Sequence, residues 1–174
     1  MRVRVFVAAA LAALVAGCGS AEHSQSSSSE PSSSQGQGQA LAAPFFGECG
    51  SVTDEEVRDA AVVPVFTSIT RNSVGCEWEA AGFSGPSVSF SWYRGSPIDR
   101  ERSGSELIGR PSDDIEVAGQ PGFLAATDGY LCEVGVGFGE DFVHWSVTYG
   151  NQSPTADPCE VATDLAELTV ERAQ

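Results

Sequence analysis

The 174-residue chain contains no lysine; its nine basic residues are all arginine, set against 24 acidic residues for a formal charge of -15. A surface of that sign repels nucleic-acid phosphates and anionic lipid headgroups, so a direct reader of DNA, RNA or a membrane surface is not expected. C-x-x-C spacing and a histidine–cysteine cluster are also missing, which argues against a structural zinc site, and no cofactor motif stands out. Histidine itself is scarce, with only His23 and His144. No apolar run is long enough to cross a bilayer comfortably: the longest covers residues 5–16, where a spanning helix needs about 20 residues.

What that short run does have is context. Arg2 and Arg4 precede it and Val15-Ala16-Gly17-Cys18 closes it, the order of a signal peptide's charged and apolar regions. The last four residues resemble the lipobox of bacterial lipoproteins. The resemblance implies that residues 1–17 are removed, that the Cys18 sulfur carries a diacylglycerol, and that the protein is anchored on the extracytoplasmic face of the cell membrane. The mature chain would keep seven arginines against 24 acidic residues. Any reading of Cys18 as a disulfide partner leaves an odd cysteine in an oxidising compartment.

Residues 18–44 are dominated by Ser, Gln, Gly and Ala, including Ser26-Ser27-Ser28-Ser29, and such a segment cannot bury enough apolar surface to order itself. It is read as a tether whose root-mean-square span is roughly 25–30 Å. One α+β domain is expected over 45–174, starting at the adjacent pair Phe45-Phe46.

Within that domain Thr53-Asp54-Glu55-Glu56 has the form of a capping box and opens a helix that Pro64 ends. Alternation then takes over. Residues 65–70 and 74–78 read as a hairpin, and Ser87-Val88-Ser89-Phe90-Ser91-Trp92 as a strand with one apolar face. Residues 95–111, carrying Pro97, Gly104, Gly109 and Pro111 among mixed charges, read as a mobile connection. Two more strands flank Gly119-Gln120-Pro121-Gly122, and Asp128-Gly129 signals a further hairpin. Val143, Trp145, Val147 and Tyr149 point one way along the last strand while His144, Ser146 and Thr148 point the other. Asp157-Pro158-Cys159-Glu160 begins a closing helix in which Asp157 caps, Pro158 fills the first turn and Glu160 completes a box. Val161, Leu165 and Leu168 give that helix its apolar stripe. The expected fold is therefore an antiparallel sheet with one dry face, an N-terminal helix and a C-terminal helix.

Beyond Cys18 the cysteines are Cys49, Cys76, Cys132 and Cys159, and four thiols in an exported domain read as two disulfides. Three pairings are open. Cys49–Cys76 with Cys132–Cys159 is preferred because each bond would tie a helical segment to the nearest strand region.

These cysteines and their neighbours carry a wider resemblance. Cys49 before a helix, Val74-Gly75-Cys76-Glu77-Trp78, Val117-Ala118-Gly119-Gln120-Pro121-Gly122, Cys132-Glu133-Val134 and Asp157-Pro158-Cys159 resemble the actinobacterial lipoproteins of the LprB and LprC type, which share a domain of unknown function. The resemblance covers 45–174 and implies an envelope lipoprotein with no assigned catalytic residue. The layout is also similar to Mog1/PsbP-like domains, an analogy of fold alone.

Candidate chemistry is thin. His144 is expected to face solvent, and a hydrolase built on it would need a nucleophile elbow; Gly82-Phe83-Ser84-Gly85-Pro86 lacks the second glycine at the required place. Gly135-Val136-Gly137-Phe138-Gly139 runs along a strand and not into a helix, so its glycines are read as close-packing residues. The acids at 113–116 and 140–141 lack the spacing of a calcium loop. Catalytic and metal residues are therefore not expected. The leading expectation is a non-enzymatic domain that binds an unknown envelope protein or ligand; the alternatives are a carrier of an apolar molecule lined by Trp92, Phe138 and Trp145, and a hydrolase using His144.

Overall fold

The computed structural model describes residues 44–174 apart from 83 and 128. The expected signal peptide, Cys18 and the tether up to residue 43 lie outside the described residues, as do Phe83 of the elbow-like stretch and Asp128 of the expected hairpin.

Seven strands form one sheet: β1 (Ser68–Arg71), β2 (Gly75–Glu79), β3 (Ser87–Tyr93), β4 (Ser112–Val117), β5 (Gln120–Thr127), β6 (Leu131–Phe138) and β7 (Asp141–Thr148). Their order is β1-β2-β3-β7-β6-β5-β4, with every neighbouring pair antiparallel. Two meanders thus meet at the β3–β7 seam. Helices α1 (Asp54–Ala60) and α3 (Pro158–Glu171) accompany a 3₁₀ turn (Glu48–Ser51), and a third helix, α2 (Ile98–Leu107), joins the meanders. The fold is α+β.

The inner face of the sheet carries the main core. Register places Phe90, Trp145 and Val134 side by side across β3, β7 and β6, and α3 covers them with Val161, Ala162, Leu165 and Ala166, all buried. Trp78 stacks on Trp145 at 5.8 Å between ring centroids. The buried polar tips are each answered, as a dry interior requires. Trp145 Nε1 donates to Thr169 Oγ1 at 3.0 Å, that hydroxyl donates to the Leu165 carbonyl, and Tyr149 Oη donates to the Ala61 carbonyl at 2.9 Å. Gly50 sits under this layer with φ 70°, and a Cβ there would lie 2.6 Å from Thr169 Oγ1 and 2.9 Å from the Phe90 ring, so only glycine fits.

The local signals at the helix ends hold apart from the Glu160 half of the α3 box. The Glu56 amide donates to Thr53 Oγ1 and the Thr53 amide donates to Glu56 Oε2 at 2.9 Å, closing the capping box. Asp157 caps α3 by accepting from the amides of Cys159 and Glu160, with Pro158 in the first turn. The cap there is the Asp157 carboxylate alone, with no reciprocal bond from the Glu160 side chain among the described residues. Both expected disulfides form: Cys49–Cys76 with Cα atoms 5.4 Å apart and Cys132–Cys159 with 5.0 Å.

Three expectations change. The stretch 95–111 is not a mobile connection, because residues 98–107 are helical. The chain must cross from β3 to β4, past three intervening strands, a distance of roughly 19 Å at the usual strand spacing. Ten helical residues cover about 15 Å of it while satisfying their own backbone groups. The sheet also has no wholly wet face, since α2 lies on the outer side. Finally, the β4–β5 turn is the pair Ala118-Gly119, with φ 46° and 83°, the left-handed pair that a two-residue hairpin needs. Gln120-Pro121-Gly122 belongs to β5; Pro121 is tolerated because β6 pairs with β5 only from Gly122 onward.

Candidate functional site

Of the site residues expected from sequence, Cys18 lies outside the described residues, and the four remaining cysteines are consumed in the two disulfides. Both bonds tie a helical segment to the sheet, as the pairing supposed. Cys49 in the 3₁₀ turn meets Cys76 in β2, and Cys159 in the first turn of α3 meets Cys132 in β6. Trp78 keeps Cys76 company on the inner face, but its indole stacks on Trp145 and donates to Asp54 Oδ1 at 2.8 Å. Partial burial pushes the Asp54 carboxyl up, yet the Trp78 and Arg71 hydrogen bonds outweigh it and leave the group below its ordinary range.

His144 is not solvent-facing. It does occupy the polar side of β7, opposite Ser91 and Gly135, but α2 closes over that side and leaves the residue 7 % exposed. Its neighbours form a second, smaller interior. Phe123, Ala125 and Phe142 are buried there with Glu133 and Ser105, and Gly135 is held side-chain-free by the Phe123 ring, 2.4 Å from where a Cβ would stand. Glu133 Oε2 accepts from Ser105 Oγ at 2.7 Å, and Arg110 Nη2 lies 2.8 Å from Glu133 Oε1. These three groups clamp the helix onto the sheet. Burial drives the His144 imidazole below its ordinary pKa of 6.5, against the pull of Glu133 and Glu101 and with that of Arg110. Nε2 has no protein partner among the described residues. Ser105 bonds to the carboxylate and not to the imidazole, so the cluster does not present the nucleophile–base pair that a serine hydrolase requires.

The aromatic residues expected to line a carrier cavity are mostly core. Trp145 is fully buried, and Phe138 packs on Phe46 at 4.7 Å. Like Phe138, Trp92 is only partly buried. It is flanked edge-on by Phe45 at 5.8 Å and Phe46 at 5.2 Å, and the Arg94 guanidinium lies 3.8 Å over its ring. Asp141, expected only as an exposed acid, accepts from Trp92 Nε1 and from the Gly95 amide and so fixes the indole and the end of β3. An open groove of about 340 Å³ runs beside it, lined by Val74, Ser91, Trp92, Tyr93 and Arg94. The other acidic run is also occupied, Asp114 pairing with Arg102. No group of three or more potential metal ligands occurs among the described residues.

Sequence reasoning missed both α2 and this aromatic end. Trp92 was readable as an inward residue of β3; its position at the strand's last inward step, beside Phe45, depended on where the chain enters the sheet.

Comparison with known proteins gives a consistent family. Proteins named "Putative lipoprotein LprB" from Mycobacterium tuberculosis and Mycobacterium bovis are 43% identical to this chain over 133 residues, covering 73% of it and 71% of their own length. The protein of the same name from Mycobacterium leprae is 43% identical and is covered over 70% of its length. No solved structure matches. Residues 13–172 match the family described as Protein of unknown function (DUF3558), and the chain belongs to that family.

Proposed function

We propose that this chain is a lipid-anchored envelope protein, acylated at Cys18 and displayed on the extracytoplasmic face, whose domain binds a partner and catalyses no reaction. The observation that carries the reading is the order of Arg2 and Arg4, a short apolar run and Val15-Ala16-Gly17-Cys18 at the head of the chain. Relatives named lipoproteins support it. The domain suits display outside the cell, because two disulfides tie helices to the sheet and each closes a loop worth roughly 3–4 kcal/mol in the chain-entropy model.

The partner-binding part rests on α2. Leu107 is 88 % exposed and Ile108 66 % exposed, although the helix that ends there is clamped by Ser105, Glu133 and Arg110. Two large apolar side chains are thus held in water by a fixed element, which suits recognition of an apolar patch on another envelope protein.

Metabolic labelling with an alkyne-bearing fatty acid, followed by fractionation, tests the anchor. Label on the wild type, absent from Cys18→Ala together with release of that variant from the membrane, is the expected result. A Cys18→Ala chain that stays in the membrane and keeps its label refutes it. Photo-crosslinking from position 107 in intact cells tests the partner; a discrete adduct lost in Ile108→Glu supports it, and no adduct at any cell density counts against it.

A further inference from the structure

We infer that the end of the sheet built on Phe45, Val74, Trp92 and Arg94 is the face that this domain lays against the phospholipid surface of its own membrane, an inference that rests on acylation at Cys18.

The argument begins with where the chain enters the fold. Phe45 is the second described residue, and it is tied in place by a reciprocal backbone pair with Gln174, its amide donating to the Gln174 carbonyl at 2.8 Å and its carbonyl accepting from the Gln174 amide at 3.1 Å. The segment that leads back to Cys18 therefore leaves the domain beside Trp92. About 25 residues separate that end from Cys18, and a flexible chain of that length has a root-mean-square span of roughly 25–30 Å. Confinement of this kind corresponds to an effective concentration in the millimolar range, so a contact too weak to be populated by a free protein becomes populated by a tethered one.

Composition supplies the chemistry. Val74, 61 % exposed, and Tyr93, 36 % exposed, line the groove beside Trp92, and Phe45, 57 % exposed, packs edge-on against the Trp92 ring. Tryptophan and tyrosine with an arginine are the side chains that settle at the headgroup level of a bilayer. Arg94, like Arg100, has no carboxylate within ion-pair distance among the described residues, whereas Arg58, Arg71, Arg102, Arg110 and Arg172 each have one. With its plane lying over the Trp92 ring, the guanidinium keeps its N–H edge available to a phosphate. Asp141, close by on Trp92, already accepts from Trp92 Nε1 and the Gly95 amide. The acylated chain, with seven arginines against 24 acidic residues, repels anionic headgroups over the rest of its surface. The tether brings the domain near; the patch decides which way it faces.

Trp92 makes the test direct, because Trp78 and Trp145 are fully buried and Trp92 is not. The full acylated chain, reconstituted into vesicles of phosphatidylcholine and phosphatidylglycerol with brominated acyl chains, is compared with the same chain carrying Phe45→Ser and Arg94→Glu. Flotation reports the anchor and tryptophan quenching reports the face. The expected result is that both chains float, that the wild type loses the Trp92 part of its emission, and that the double variant keeps it. Circular dichroism of the double variant confirms its fold, and Trp92→Phe, which removes the quenchable signal without touching the other two indoles, confirms the assignment. A wild type that floats without quenching overturns the inference and leaves the anchor standing. Protection of Trp92 that rises with protein concentration and ignores the lipid would assign the patch to a second copy and equally overturn it. A wild-type chain that does not float removes the anchor and the inference together.

Discussion

The inner and outer faces of the sheet are covered in opposite ways. On the inner side, α3 lays an apolar stripe on Phe90, Trp145 and Val134, and a disulfide fixes its first turn. On the outer side, α2 has one inward aliphatic anchor at its start, Ile98 near Gly137, and is otherwise held by polar pairs, Ser105 and Arg110 with Glu133 above His144 and Arg102 with Asp114. Hydrophobic burial needs no directional match, whereas a buried charge pair is stabilising only when each partner is present. The first face is therefore tolerant in detail and strong in sum. The second is conditional.

The contrast can be broken most forcefully from the inner side. Trp145→Ala removes the indole shared by Trp78, Phe90 and Thr169 and should cost about 3–5 kcal/mol in urea unfolding. Close behind, Cys132→Ala with Cys159→Ala should cost roughly 3–4 kcal/mol, and Cys49→Ala with Cys76→Ala about the same, because both pairs span 27 residues. A large inequality between the two would mean that one bond strains or supports the native state beyond its loop. On the outer side, Glu133→Gln leaves Arg110 without its carboxylate and should cost about 1–3 kcal/mol. Hydrogen exchange should show the loss concentrated in α2, with α3 amides unaffected at low denaturant.

Acid sharpens the same difference. A folded-state His144 held below 6.5 means that the unfolded chain binds a proton the folded chain refuses, so stability declines as pH falls below about 6.5. His144→Met, similar in volume and without a titrating group, should flatten melting temperature between pH 7 and 5 in relative terms. The Glu56 carboxyl, held down to about 2 mainly by the Arg172 hydrogen bond and further by the Thr53 amide, has the depressed pattern of an acid. Its contribution is whole above 4.5 and is lost as pH falls from there toward 2. Acid should therefore loosen the α2 side first and the α1–α3 bridge later. At the small end, Leu107→Ser should change stability by no more than about 0.5 kcal/mol, since the side chain is 88 % exposed.

The same division explains what could be read in advance. Both helix caps and the strands with clean alternation were legible because each rests on a few neighbouring residues, whereas the cysteine pairing was a preference among three, each bond joining residues 27 apart. Thr53 to Glu56 closes its box within one turn, and Val88, Phe90 and Trp92 share a face by the geometry of a strand. Helix α2 was not legible: it has no side-chain cap, a proline at the cap position and Gly104 inside it, and its clamp is to Glu133, 28 residues away from Ser105. His144 was misplaced for the same reason. Alternation put it correctly on the far side of β7, but alternation reports which side a residue takes and not what lies over it.

The sequence by itself determined the short apolar run closed by Val15-Ala16-Gly17-Cys18, the polar composition of the segment behind it, the periods of strand and helix, and the inner stripe that α3 would bury. Only the tertiary structure decided that β3 pairs with β7, that the crossing between the meanders is a helix, and that Phe45 meets Trp92 and Arg94 at one end of the sheet. Period and capping are local properties of neighbouring residues. Strand order and the meeting of distant ends depend on which faces remain to be covered once the whole chain has packed.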